Sequence, residues 1–383
     1  MVTGITKTKV VLYIGGFILP NGNAAAQRVV SNAKALKVLG YEVIMLNECS
    51  EVKKDSIEIR EYYGFKCIEI YKSKRNIDLL KKMISIDNVL HAINLIGTVD
   101  IIIAYNYPAI ALERILRFGR KKGIKFVGDI TEWYSVKGHN ILYKIVKGLD
   151  SCLRMRIVNK KMDGLIVISR YLEKYYKNQL TVRLPPLIDA DDKKWNIGTL
   201  KKELKKVNFI YAGSPSSIKE RLDVIVLAIE KLAEKYPLRL YIVGIGKNEF
   251  QSIYKKNSKA SLIEPNAVSF LGRLSHEETI KNVIEADYSI IIRDNNRVTR
   301  AGFPTKFVES VACGTPVIFN DNSDLIEYQQ CGYLVSVDNL ETDLEKIIKI
   351  KDKPKIEKFL FDYRNYLEAL KNFLILLGQD NEI

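Results

Sequence analysis

The chain has 383 residues, 47% of them hydrophobic and 27% charged, which corresponds to two or three domains with filled cores and excludes a disordered, fibrous or peptide-sized protein. Sixty Lys and Arg against 45 Asp and Glu leave a formal charge of +15, unevenly spread: residues 1–190 carry 31 basic and 17 acidic groups, and residues 191–383 carry 29 and 28. The basic first half suits an anionic partner: nucleic acid, an acidic membrane surface or a phosphorylated acceptor.

In chain order, short β-branched runs alternate with longer amphipathic stretches, the pattern of parallel strands joined by helical crossovers, so the fold class is α/β. In the first half, strands are expected at Val10 to Ile14, Glu42 to Leu46, Asp100 to Ala104, Lys125 to Val127 and Gly164 to Ile168. In the second they are expected at Asn208 to Ala212, Arg239 to Val243, Val268 to Leu271, Tyr288 to Ile292 and Pro316 to Phe319. Two such sets imply two sheets and two domains, 1–185 and 207–354. Between them, Pro185 and Pro186 begin a charged, poorly patterned stretch that reads as a hinge over 186–206. Apolar residues at near-helical spacing from Lys355 to Leu377, Phe359, Tyr363 and Phe373 among them, predict a last helix within 355–383 that packs back on the first domain.

Five cysteines, an odd number without a C-x-x-C pair, indicate neither a disulfide framework nor a zinc site. With no signal-like leader and no run of 18 apolar residues, the expected location is the cytoplasm, at the inner face of the membrane if the basic half docks there.

Several segments could carry chemistry. Gly15 and Gly16 end the first strand, and a helix starts after Asn23, bringing Arg28 toward the same loop. Glycines at such a turn let a ligand approach the backbone, and the helix offers unpaired N–H groups. The spacing is not G-x-G-x-x-G, so a dinucleotide site has little support. Gly213 and the cations Lys219 and Arg221 follow another strand, where α/β proteins hold phosphates. The sharpest segment runs from Arg297 to Ile318. Gly302, Phe303, Pro304, Thr305 and Lys306 open a helix whose positive end would suit a diphosphate, and Glu309, one turn inside, could accept bonds from sugar hydroxyls. Asp129 and Glu132 form an acidic pair at a strand end of the first half. Either could take a proton from a hydroxyl, while Asp129 or Thr131 could instead cap the next helix. His139 lies just beyond.

These residues resemble those of retaining glycosyltransferases of the GT-B fold, in the large family four (glycosyl transferases group 1). The resemblance rests on ordered motifs: Phe209 to Gly213, Lys219 to Asp223, Val243-Gly-Ile-Gly246, Phe270-Leu-Gly272, Gly302 to Ile318 and Gly332-Tyr-Leu334-Val335. It implies two Rossmann-like domains facing each other across a cleft and closing at the hinge, the second binding a nucleotide-sugar donor and the first an acceptor. Glu309 would hold the ribose, and Lys219 or Arg221 the diphosphate. The family's first glutamate falls on Ala301, so Asp294, Arg297 or Arg300 would have to replace its contact with the donor sugar. GT-B enzymes are typically metal-independent, so no metal and no cofactor beyond the nucleotide-sugar co-substrate is expected. Asp189-Ala-Asp191 is therefore not read as a metal motif.

The expected activity is transfer of a sugar, with retention, to a glycan or a lipid-pyrophosphate-linked acceptor, as in cell-surface polysaccharide synthesis. Peripheral contact with an anionic membrane is expected through Lys72 to Arg75, Arg114 to Lys125 and Lys144 to Lys161. The alternatives are a GT-B epimerase or phosphorylase and, in another class, a basic nucleic-acid-binding protein. Nucleic acid is not expected, since no recognisable binding motif accompanies the charge.

Overall fold

The computed structural model describes residues 8–20, 22–54, 56–72, 81, 83–134, 141–196, 206–216, 218–254 and 266–379. The chain divides into two compact units, Met1–Leu187 with Tyr363–Ile383, and Ile188–Asp362. Both are α/β.

The first unit carries strands β1 (Val10–Gly15), β2 (Glu42–Cys49), β3 (Ile57–Tyr62), β4 (Phe65–Tyr71), β5 (Ile101–Tyr105), β6 (Lys125–Ile130), β7 (Gly164–Val167) and β8 (Thr181–Arg183). Their order is β3-β4-β2-β1-β5-β6-β7-β8, parallel except for the antiparallel β3–β4 hairpin. β1, β5 and β7 are buried almost throughout, which explains their near-continuous apolar sequence. The helix Ala24–Val38 packs Ala26, Val29, Ala33 and Leu36 into this core.

The second unit carries β9 (Val207–Ala212), β10 (Leu238–Val243), β11 (Val268–Gly272), β12 (Tyr288–Ile291), β13 (Val317–Asn320) and β14 (Gly332–Val335). The order β11-β10-β9-β12-β13-β14 is parallel throughout. Renumbered within the unit it is 3-2-1-4-5-6, the doubly wound dinucleotide-fold order, and it reverses between β9 and β12. A ligand of such a sheet sits beyond the carboxyl ends of the strands at that reversal.

The ten expected strands are present, with ends shifted by one to three residues. Four more were not expected: β3, β4, β8 and β14. β3 carries Glu58, Arg60 and Glu61 because it is an outer strand of half-buried and exposed positions. Tyr63 and Gly64, both with positive φ, close the two-residue turn between them.

The last helix also differs from expectation. It runs over Leu367–Gln379 after a short 3₁₀ turn at Tyr363–Tyr366. Phe361 is buried against Phe303, Phe307 and Tyr328 of the second unit, whereas Leu370, Phe373, Leu374 and Leu377 enter the core of the first. Residues 355–362 form no helix.

Candidate functional site

At the β9–β12 reversal, backbone pairing sets the geometry. Beyond β12, Arg221 N donates to Ile292 O at 2.9 Å and Asp294 N to Lys219 O at 3.1 Å, pairing Glu220 with Arg293 in an isolated antiparallel bridge. Asn320, at the end of β13, fixes the same segment by accepting from Arg293 N and donating to Arg293 O, at 2.8 and 2.9 Å. Glu220, Arg293 and Lys306 are thus held together at the carboxyl edge of the sheet.

Lys306, 13% exposed, stands in the first turn of the Thr305–Ala312 helix. Its Nζ donates to Tyr211 Oη at 2.6 Å, lies 4.2 Å from the centre of that ring and is 3.6 Å from Glu220 Oε1. Gly213 makes room for it. With φ of +129°, a Cβ at this position would be strained and would meet Lys306 Cε at 3.3 Å.

Arg293 is 4% exposed. Its Nε is 3.9 Å from Glu220 Oε1, and neither Nε nor Nη1 makes a hydrogen bond. Burial pulls both cations below their usual values, although Glu220 opposes this. Burial works to raise Glu220 as well, but Lys306 and Arg293 outweigh it and hold the carboxyl below the usual range. The cluster therefore contains two cations and one carboxylate, with guanidinium donors unmatched. The adjacent N–H groups of Thr305 and Lys306, the first two of the Thr305–Ala312 helix, have no intrahelical acceptor.

Glu309 lies one turn along, 15% exposed, with Oε1 2.9 Å from Nε2 of His276. His276 opens the His276–Glu285 helix, whose N-terminus is fixed by the reciprocal Ser275–Glu278 capping box.

Other expected contacts are arranged differently. Arg221 is bound by Asp223, with Nε to Oδ1 at 3.0 Å and Nη2 to Oδ2 at 3.1 Å, and lies 3.5 Å from Asp294; two carboxylates already meet its charge. Lys219 is half-buried beside this pair. Phe303 is buried in the aromatic cluster of Phe307, Tyr328 and Phe361 and anchors its loop from within. Gly302 is extended, with φ of −105°, a conformation open to any residue. Pro304 caps the helix from just outside, and Ala301 is fully buried. Arg297 and Arg300 are exposed on the short Arg297–Ala301 helix.

The first unit has its own buried ion pair. Asp129, fully buried on β6, faces Arg28 at 2.8 Å and accepts from Tyr13 Oη at 2.5 Å and Asn32 Nδ2 at 3.4 Å. Arg28 Nη1 also donates to the carbonyls of Leu184 and Pro185. Burial lowers the Arg28 pKa, but Asp129 more than compensates and leaves it raised. Asp129, expected as one of two candidate proton acceptors, and Arg28, expected at the cleft loop, are thus each engaged with the other. Glu132 is half-buried beside Tyr134, whose hydroxyl is pushed up by burial and next by the Glu132 charge.

Asn23 caps the Ala24–Val38 helix and donates back to Gly16 O at 3.0 Å, closing the loop on itself. Gly15 is required by packing, since a Cβ there would lie 2.6 Å from Tyr105 O. His139 lies outside the described residues. Asp189 Oδ1 accepts from Asp191 N at 3.1 Å, a local turn. Among the described residues, no three His, Cys, Asp or Glu side chains gather as a metal site would need.

Sequence reading missed Arg293, Glu220, Tyr211 and His276. The one available signal was an arginine directly after the apolar run Ile290-Ile291-Ile292.

The fold is the GT-B fold of solved glycosyltransferases. Within it, residues 206–352 match the family model of glycosyl transferases group 1. The catalytic domain of starch synthase IV from Arabidopsis thaliana, solved with ADP and acarbose, is similar at a TM-score of 0.69 and 12% identity, over 97% of this chain and 100% of that one. Sucrose-phosphate synthase from Thermosynechococcus elongatus aligns at 0.62 and 15%, over 98% of each chain. Anabaena HepE, solved with UDP and glucose, aligns at 0.62 and 14%, over 96% of this chain and 99% of that one. No curated protein sequence matches the chain.

Proposed function

We propose that the protein transfers a glycosyl group, with retention, from a nucleotide sugar to a hydroxyl of a glycan or lipid-pyrophosphate-linked glycan acceptor, as in cell-surface polysaccharide synthesis. The observation that carries this reading is the surplus cation at the β9–β12 reversal: Arg293, buried with two unbonded N–H positions, beside Lys306 and a helix N-terminus. Three donor types of positive sign converge there, and a diphosphate is the group that matches them.

In this reading Arg293, Lys306 and the amides of Thr305 and Lys306 hold the diphosphate, with Gly213 giving the close approach. Lys219 stands at the rim. Glu309, oriented by His276, accepts from the ribose hydroxyls through its other oxygen. With Ala301 in place of a carboxylate, the donor sugar is met by Arg297 or Arg300, and Asp294 is engaged with Arg221.

The acceptor oxygen bonds to the anomeric carbon on the face from which the diphosphate leaves, the carbon–oxygen bond to phosphate breaks, and the acceptor proton passes to the departing phosphate oxygen. The buried cations stabilise the charge that develops on that oxygen, so no metal ion is needed for it. Glu132, rather than the ion-paired Asp129, is the carboxylate on the acceptor side.

A panel of nucleotide sugars tests the reading. Turnover of one of them, with NMR showing the donor's anomeric configuration preserved in the product, is expected. An inverted product would refute retention, and failure of every nucleoside diphosphate to bind would remove the donor site.

A further inference from the structure

The helices Ala109–Arg120 and Ile141–Leu153, the latter continued by a π-helical turn over Arg154–Val158, lie side by side on the first unit. Asp150 accepts from Ala109 N at 2.8 Å, Lys161 reaches Glu113 at 2.8 Å, and Arg120 donates to the carbonyl of Lys161. These contacts join the two helices into one surface. Ile145 and Leu149 are 53% and 66% exposed, Ile157 48%, and Ile110 on the neighbouring helix 45%. Spacings of four, three and four place Ile145, Leu149, Cys152 and Arg156 on one stripe. Arg117 and Arg156 are exposed alongside, and the carboxylates within the surface, Glu113 and Asp150, are already bound to Lys161, Arg117 and the Ala109 amide.

We infer that this face docks on an anionic lipid bilayer, with Ile110, Ile145, Leu149 and Ile157 entering the headgroup boundary while Arg117 and Arg156 meet lipid phosphates. Charge complementarity selects the occupant. Exposed aliphatic side chains interleaved with cations match a surface that is apolar below and anionic above. A nucleic acid would use the cations and leave Leu149 and Ile145 in water. The inference deepens the lipid-linked acceptor reading and rests on it for its purpose, because docking brings the first unit to where such an acceptor lies.

The test uses the full chain with vesicles of phosphatidylcholine containing about a third phosphatidylglycerol, against phosphatidylcholine alone, at low and high salt. Binding to the anionic vesicles at low salt and release at high salt is expected. I145E/L149E should abolish sedimentation while leaving the melting temperature and nucleoside diphosphate binding unchanged. R117Q/R156Q should lower affinity on the order of thirtyfold, about 1 kcal/mol per cation.

Indifference of the wild-type chain to lipid charge would overturn the proposal, as would I145E/L149E that still sediments. So would salt-sensitive binding to a single-stranded RNA at the same affinity as to vesicles, undisturbed by I145E/L149E. Loss of nucleotide binding with vesicle binding intact would strike the donor site and leave the docking face standing.

Discussion

The two units each bury a charged cluster at the carboxyl side of a parallel sheet, and the clusters differ in their count of charges. In the first, Arg28 and Asp129 pair one to one at 2.8 Å, Tyr13 and Asn32 also approach the carboxylate, and Arg28 Nη1 donates to the carbonyls of Leu184 and Pro185. In the second, Glu220 stands alone between Lys306 and Arg293, at 3.6 and 3.9 Å. A buried charge is costly unless matched, so a balanced cluster can be sufficient in itself, whereas an unbalanced one leaves a cation without a counter-ion. The balance of charge, one to one in the first cluster and two cations to one carboxylate in the second, distinguishes them where burial alone does not.

The largest effect that could break this contrast is in the first unit. Asp129→Ala leaves Arg28 buried without its counter-ion, and the chain should lose about 3–5 kcal/mol in urea unfolding, with nucleoside diphosphate affinity unchanged while folded. If the variant keeps its stability and loses only turnover, Asp129 is a base and the balanced cluster is not structural.

In the second unit the expected consequences are reversed. Arg293→Met removes the surplus charge, so stability should hold to within about 1 kcal/mol, because a buried cation with unmet donors contributes little to the fold. Affinity for a nucleoside diphosphate, followed by calorimetry, should fall by roughly one to two orders of magnitude, the worth of a charge-assisted hydrogen bond or two at about 1.5–3 kcal/mol. Strong destabilisation with unchanged affinity would show Arg293 to be a structural partner of Glu220, like Arg28 in the other unit.

The same contrast explains how much was legible in the sequence. Ten of the strands and the helix ending before Gly314 were readable because apolar periodicity and backbone residue types act locally. The Thr305–Ala312 helix was readable for the same reason, together with the resemblance over Gly302 to Ile318. What composition could not reveal was pairing across distance. Arg221 and Arg293 are alike in sequence, yet one lies two residues from the carboxylate that neutralises it and the other is 73 residues from a carboxylate it must share with Lys306. Asp129 read as a base because its partner, Arg28, is 101 positions away. β3 was hidden for a related reason: an outer strand with charged side chains satisfies its hydrogen bonds with β4, a pairing that alternation of Ile57, Ile59 and Arg60 does not announce by itself.

The smallest effect sharpens the contrast through pH. Lys306 is held by burial below the ordinary lysine value of about 10.4, and only its protonated form attracts a diphosphate. As pH rises through that lowered value the ammonium discharges, so diphosphate affinity should begin to fall at a lower pH than a surface lysine would give. Binding of the anion favours the charged form, and complex formation above the free-protein value should therefore take up a proton, measurable by calorimetry in buffers of different ionisation enthalpy. Lys306→Arg should keep its charge throughout and flatten the alkaline limb, since a guanidinium there remains protonated. The Arg28 pair offers no such limb, because Asp129 holds that cation above its usual value. An unchanged alkaline limb in the arginine variant would mean that Lys306 is not the titrating group and that Arg293 alone receives the anion.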